Sequence, residues 1–476
     1  MLEFVTNRSD IESELLDEIK LFFPYAENCE VSAEHIYSQS ACGGKIELTN
    51  VLILNGRKYS YRSELQRELS ENAKKRLDKR ECKLSVFKAF SDFTGIKPPW
   101  GSLTGIRPSK LVYDMMNEGL PLSKCADKLC ERFCVTPQKA ELIVEIVSNQ
   151  RGFYIADSDL FNLYIHIPFC PTKCNYCSFT TELASKCSAV IPVYLDKLKE
   201  EITDAVNTVE KLGKLHSVYV GGGTPTVLEA EQLYSLLADF PFRDVEFTVE
   251  AGRPDSITDE KLDAIKRAGA NRICVNPQTL NDRTLKAIGR SHTAEDFYRK
   301  YRLAEKYGFT INVDLIAGLT NETLDDFIGT LDAAAALNPD NITVHTLSRK
   351  NGSELKQTGI YDNCYVPAMT GYALEKLGKS GYIPYYLYRQ KQMLGNLENV
   401  GYCKPGKQCI NNITTMEDCM SVIACGAGSI TKAVSHGEKR IARFADLRDV
   451  KLYIERFDEK SAEKRKFCQK QFTKIL

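Results

Sequence analysis

From residue 160 onward the chain keeps one rhythm, and that rhythm restricts its fold more than any other feature. Short runs rich in β-branched and aromatic residues, "LYIHI", "SVYVGG", "VEFTVEA", "NRICVNP", "TINVDLIAG" and "NITVHTL", alternate with stretches of helical periodicity. Between the first two runs, Tyr194, Leu198, Ile202, Val206, Val209 and Leu212 fall on one face of a helix. Leu324, Phe327, Ile328 and Leu331 form another stripe. Thr293 with Asp296 reads as a capping box for a helix ending near Gly308. Six β-α units in series predict an α/β fold. Its parallel sheet is flanked by helices, either as a doubly wound sheet or as a full or partial barrel. Both arrangements put the chemistry at the C-terminal ends of the strands.

The flanks read differently. Residues 1–155 predict an α+β domain whose role the sequence does not give. Asn55-Gly56 is the turn of a hairpin, residues 62–80 read as a charged surface helix, and residues 121–150 as two helices broken near Thr136-Pro137. Cys125, Cys130 and Cys134 lie mostly on one helical face and read as small core residues. Residues 156–384 carry the β-α rhythm, and residues 385–476 form a mixed C-terminal region without it.

Charge narrows the function class. Lys plus Arg and Asp plus Glu both number 63, so no basic surface for nucleic acid is implied. The first residues lack the pattern of a signal peptide, and the apolar runs are too short to span a bilayer. A cytoplasmic protein is expected, with reduced thiols. Its 17 cysteines then mean metal, catalysis or buried side chains.

Three of them stand apart. In "YIHIPFCPTKCNYCSF", Cys170, Cys174 and Cys177 follow the first strand with C-x3-C-x2-C spacing. Closed structural zinc wants four ligands, and no fourth Cys or His is nearby. Three thiolates on a four-iron cube leave one iron open to an outside ligand. The second strand ends in Gly221, Gly222, Gly223 and Thr224, and no Gly-Lys-Ser/Thr follows, so this is not a phosphate loop. Three glycines bare the backbone to a close ligand. Glu250 ends the third strand, at the mouth of the sheet.

The spacing after a first strand resembles the radical S-adenosylmethionine (SAM) superfamily. With "GGGTPT", "NPQTLND", "GRSHT", "DLIAGL" and "GAGS" in order, the chain resembles the oxygen-independent coproporphyrinogen III oxidase family. "GIRPSK" and "GNLENVGYCKPG" extend the resemblance to its HemZ-type coproporphyrinogen dehydrogenases. The resemblance implies a partial (β/α)6 TIM-like barrel, with a 4Fe–4S cluster and SAM as cofactors. It implies that Cys170, Cys174 and Cys177 hold the iron, and that Tyr164 and Tyr176 lie beside SAM. Gly222, Gly223 and Thr224 would meet its methionine and Glu250 its ribose. Gln278, Arg290 and Asp314 match positions that bind a second SAM, and an Arg290–Asp314 pair would fit both that role and a structural one. The implied activity is oxidative decarboxylation of coproporphyrinogen III through a 5′-deoxyadenosyl radical, with electrons from a flavodoxin or ferredoxin. Neither nucleic acid nor membrane is an expected partner. Four substrate carboxylates would call for cations, and Arg253, Arg290, Arg349, Arg389 and Lys391 are placed for this by sequence.

Three departures keep alternatives open. Phe179 stands where the oxidases carry a further Cys, as in the family's haem chaperones. The N-terminal segment does not match the oxidases' substrate-gating segment. The chaperones' haem motif, His-Asn-x-x-Tyr-Trp, is here Asn411–Met416, without its His or its aromatics. A haem-binding chaperone-like protein and a radical SAM enzyme of another tetrapyrrole are the alternatives. His166 reads as a packing or hydrogen-bonding group, as does His345, although the latter can face the cavity. Cys403, Cys409, Cys419 and Cys425 read as incidental thiols rather than as a second cluster site.

Overall fold

The computed structural model describes residues 2–23, 30–42, 45–66, 70–105, 107–179, 181–242, 244–348, 352–357, 364–390, 392–435 and 440–472. Arg349 and Lys391 lie outside the described residues. The chain forms two compact units, Met1–Val144 and Glu145–Leu476.

In the first unit, β1 (Leu2–Thr6), β2 (Val31–Cys42), β3 (Lys45–Leu54) and β4 (Arg57–Gln66) form one sheet in that order. β1 runs parallel to β2, and the rest is antiparallel. Asn55 and Gly56 both take left-handed backbone (φ 46° and 81°), as a two-residue hairpin turn requires. Leu15, Ile19, Leu52, Phe87 and Phe90 share one core with the helices Glu12–Ile19 and Glu71–Thr94. The helix expected over residues 62–80 begins only at Glu71, where the Ser70 hydroxyl caps it. Residues 62–66 instead complete β4 and bury Leu65, because pairing with β3 outweighs their helical propensity. The helices Leu122–Phe133 and Pro137–Asn149 part where expected, with Cys134 as a left-handed cap and Cys125 buried.

The second unit carries the β-α rhythm. Its strands are β5 (Leu160–Ile167), β6 (Phe169–Cys170), β7 (Glu182–Leu183), β8 (Lys214–Gly222), β9 (Glu246–Glu250), β10 (Arg272–Cys274), β11 (Thr310–Ala317), β12 (Asn341–Thr346), β13 (Ile383–Tyr388), β14 (Asn399–Cys403), β15 (Ser421–Cys425), β16 (Ile430–Ser435) and β17 (Arg440–Ala445). β5, β8, β9, β10, β11 and β12 pair in sequence order, all parallel. That order never reverses, so the sheet has no switch point of the doubly wound kind; it is the open, barrel-like alternative. The helix Ile191–Leu212 buries Tyr194, Leu198, Ile202 and Val209. Thr293 and Asp296 form the expected capping box.

The C-terminal residues join this same sheet. β14 lies antiparallel to β12, with β13 outside it, and β15 lies parallel to β5 and is followed by β16 and β17. The break expected at 384/385 falls inside β13.

Between β14 and β15, the helix Ile410–Met416 sits at the N-terminal ends of the parallel strands. The Glu246 carboxylate accepts the Ile410 and Asn411 amides at 3.0 and 2.9 Å. Arg272 pairs with Glu246 at 3.3 Å and donates to Asn341 and to the carbonyls of Lys407 and Gln408. Asn162, Ser217 and Thr414 complete a buried polar layer. Each member satisfies another, which is what makes such a layer tolerable in a core.

Candidate functional site

At the opposite, C-terminal ends of the strands lies a cavity of about 340 Å³. It is lined by Cys170, Cys174 and Cys177, and by Tyr176, Gly222, Gly223, Thr224, Glu250, Gln278, Arg290 and Asp314. Residues scattered over 145 positions of sequence thus meet on one surface, because five successive strands end there.

The cysteine loop is pinned from several sides. β6 and β7 close its base as a short parallel pair. The Thr172 hydroxyl donates to the Gly289 carbonyl at 2.9 Å, and Asn175 bonds the carbonyls of Ala287 and Ile288. The Cys177 amide turns back onto the Cys174 carbonyl at 3.1 Å. Burial pushes the Cys170 thiol up. Among the described residues, no three His, Cys, Asp or Glu side chains converge as a single metal ion needs. Among the described residues, no fourth Cys lines the cavity. Three thiols lining one cavity suit a cluster, whose sulfur ligands bind different irons.

The glycine run explains itself locally. A Cβ on Gly222, where φ is +109°, would stand 2.6 Å from His166 Cε1. A Cβ on Gly223 would stand 2.4 Å from the Phe169 carbonyl oxygen. The amides of Gly223 and Thr224 donate to the carbonyls of Ile167 and Phe169 at 2.7 and 2.8 Å, and the Thr224 hydroxyl lies 3.6 Å from Cys170 Sγ. The run therefore lets two loops, one bearing the thiols, close on each other.

Glu250 accepts a hydrogen bond from the Tyr219 hydroxyl. Burial pushes its carboxyl up to about 7; nearby Asp314 adds to this and the Tyr219 hydroxyl opposes it. Tyr164 does not line the cavity. It stacks on Tyr219, and its hydroxyl lies 3.1 Å from His166 Nδ1, so it supports the wall from behind. Burial pushes His166 down to about 4, which keeps it neutral as a packing group.

Arg290 and Asp314 do not pair directly. Asn276 stands between them: Arg290 donates to its carbonyl at 2.6 Å, and its side-chain amide donates to Asp314 at 2.8 Å. Asn276 thus bridges the two, and the guanidinium also lies beside Tyr176 and Cys174. Arg290 Nε is buried and finds no partner among the described residues. Gln278 adopts φ 70° and bridges to β11 through its backbone. His345 does face the cavity, with Nε2 3.7 Å from Asp314 and Nδ1 3.3 Å from the Tyr388 hydroxyl.

Two expected substrate cations are otherwise engaged. Arg389 is buried, donates to Asn396 and does not line the cavity. Arg253 lines it but turns toward Asp255 and the cysteine loop. Sequence reading missed Asn276, Tyr219, Tyr388 and Asn399. Asn276 precedes a proline and reads as a turn, and the others sit on strands whose neighbours the sequence does not reveal. Cys403, Cys409, Cys419 and Cys425 are all buried; Cys403 and Cys409 share one apolar cluster, where Cys409 bonds Glu246, and Cys425 bonds the Glu201 carbonyl.

The model of the Radical SAM superfamily matches residues 164–334, the segment that carries the thiols and the strand ends. The oxygen-independent coproporphyrinogen-III oxidase-like protein HemZ of Bacillus subtilis is 39% identical over 399 residues, 80% of this chain and 79% of that protein. The chain belongs to the radical SAM superfamily, in its HemN-like family. Its cofactors are accordingly a 4Fe–4S cluster and SAM. Within the family, the heme chaperone HemW of Escherichia coli is 30% identical, covering 57% of this chain and 70% of that protein. The crystal structure of coproporphyrinogen III oxidase (HemN) from Escherichia coli matches with a TM-score of 0.52 at 23% identity. It covers 66% of this chain and 73% of that one, and establishes the shared fold. Among the described residues of this radical SAM protein, no helix is long and apolar enough to cross a membrane.

Proposed function

We propose that this radical SAM protein catalyses oxygen-independent oxidative decarboxylation of coproporphyrinogen III in porphyrin and haem biosynthesis. The observation that carries the reading is the single cavity that joins the three thiols to Glu250, Arg290 and Asp314. Cys170, Cys174 and Cys177 hold the cluster. With SAM, the cluster would supply radical chemistry at a propionate side chain. The chain's own residues position and shield. Glu250, when ionised, accepts the ribose hydroxyls of SAM. The Gly222–Thr224 loop and Tyr176 border its methionine. Arg290, with its unspent Nε, suits a carboxylate, and Gln278 and Asp314 complete that end of the cavity, where a second SAM can lie. The electron donor is a small reducing protein of the flavodoxin or ferredoxin kind.

A second reading, haem binding, rests on the similarity to proteins named heme chaperone. Against it, the stretch matching the chaperones' haem motif forms the helix Ile410–Met416. Asn411 there is 8% exposed and donates to Ser217, at the end of the sheet away from the thiols.

The test is anaerobic reconstitution, followed by SAM and a reductant with and without coproporphyrinogen III. The proposal expects 5′-deoxyadenosine and the decarboxylated porphyrinogen in step. If 5′-deoxyadenosine forms while the porphyrinogen stays unchanged, the substrate assignment is wrong. Stoichiometric haem binding without turnover would favour the second reading.

A further inference from the structure

A buried cation beside a thiol destined for a metal cluster needs a reason, since burying charge is costly. Arg253 is 3% exposed. Its Nε and Nη2 grip the Asp255 carboxylate at 3.1 and 2.9 Å. Its Nη1 reaches the Thr172 hydroxyl at 2.7 Å, the Thr172 carbonyl at 3.2 Å and Cys174 Sγ at 3.7 Å. Every nitrogen of the fork thus has a partner inside the protein.

Behind Asp255 stands His292, its Nδ1 3.9 Å away and its side chain fully buried. Burial pushes this imidazole down to about 4, so it contributes no second cation. The Arg253–Asp255 pair is therefore an oriented dipole whose positive end faces Cys174. The nearer charge dominates the potential felt at the sulfur, because Coulomb energy falls with distance and burial weakens screening.

We infer that Arg253 is a positioning residue that sets the reduction potential of the cluster held by Cys174, its guanidinium favouring the reduced, more negative state. Hydrogen bonds and charge at ligand sulfurs are the means by which a protein tunes such a cluster. The inference rests on the radical SAM reading of the cysteine loop and adds to it a residue that reads from sequence as a substrate contact. Thr172 and Arg253 also cross-link the loop to the β9–β10 connection, so one side chain both orients Cys174 and fixes its electrostatics.

The experiment is a redox titration of the reconstituted full-length protein, followed by the EPR signal of the reduced cluster, with iron and sulfide counted in each sample. In R253Q, with iron and sulfide at wild-type content, the midpoint potential should shift negative. In D255N the guanidinium keeps an acceptor but loses its counter-charge, and the potential should shift positive. An unchanged or more positive potential in R253Q overturns the inference. If R253Q holds no cluster, D255N decides alone: a positive shift supports the inference and an unchanged potential overturns it. Wild-type protein that takes up no cluster would instead overturn the radical SAM reading itself, so the two failures are distinct.

Discussion

Glu250 shows what a single residue must do here. Its carboxyl is pushed up to about 7 by burial, yet two ribose hydroxyls are best accepted by the ionised form. Binding of methylthioadenosine, which keeps the ribose and lacks the titrating amino acid, should therefore tighten as pH rises through about 7. Isothermal calorimetry between pH 6 and pH 8 checks this. Glu250→Gln should flatten the profile and weaken binding roughly 10- to 100-fold, the equivalent of about 1.5–3 kcal/mol for a charge-assisted pair. Without ligand the sign reverses. A raised folded-state value means stability from this group that is present at low pH and lost as pH rises through about 7. Glu250→Gln should remove that slope from urea denaturation curves. Cys174→Ser should abolish the cluster's visible absorbance and leave the far-ultraviolet circular dichroism unchanged. The thiols and Glu250 were legible in the sequence because cysteine clusters and strand-end carboxylates are uncommon residue choices. Asn276 was not, since its role depends on Arg290 and Asp314 arriving on either side of it. Arg253 was legible as a cation but not in its direction.

At the scale of elements, the six parallel strands and their helices could be read because both periodicities repeat. The edge strands could not. β13 and β14 form an antiparallel pair without an intervening helix, so no β-α rhythm marks them, and Tyr388 entered the cavity wall unannounced. The helix expected at residue 62 failed for a related reason: ten residues of β4 are paired by β3, a partner that local propensity does not see. The end of β8 is sensitive to change. Gly222→Ala places a methyl against His166 in left-handed backbone. It should cost about 2–4 kcal/mol, combining strain with overpacking, and thermal denaturation checks it. Thr293→Ala removes the cap of the helix Ala294–Glu305. It should cost about 1 kcal/mol and leave cluster content unchanged.

At the scale of the whole molecule, β13–β17 of the C-terminal region are members of the same sheet, not an appendage. A chain ended after residue 384 loses most of β13 and all of β14 from one edge and β15–β17 from the other. It also loses the helix whose N-terminus Glu246 receives, so Glu246 loses the Ile410 and Asn411 amides and Arg272 the Lys407 and Gln408 carbonyls. Such a chain should aggregate or elute as a swollen species in size-exclusion chromatography, and should hold no cluster. The pairing of β5 with β15 carries one further implication. Phe161 lies beside Ser421, so the first strand of the core waits for nearly the last one. During synthesis, β5 through β12 can assemble as they emerge, but the outer edge of β5 stays unpaired until β15 leaves the ribosome. An exposed edge is a template for the wrong partner. Biosynthesis of this protein therefore has a vulnerable interval whose length is set by translation speed, and slowing the ribosome near its 3′ codons would lengthen it.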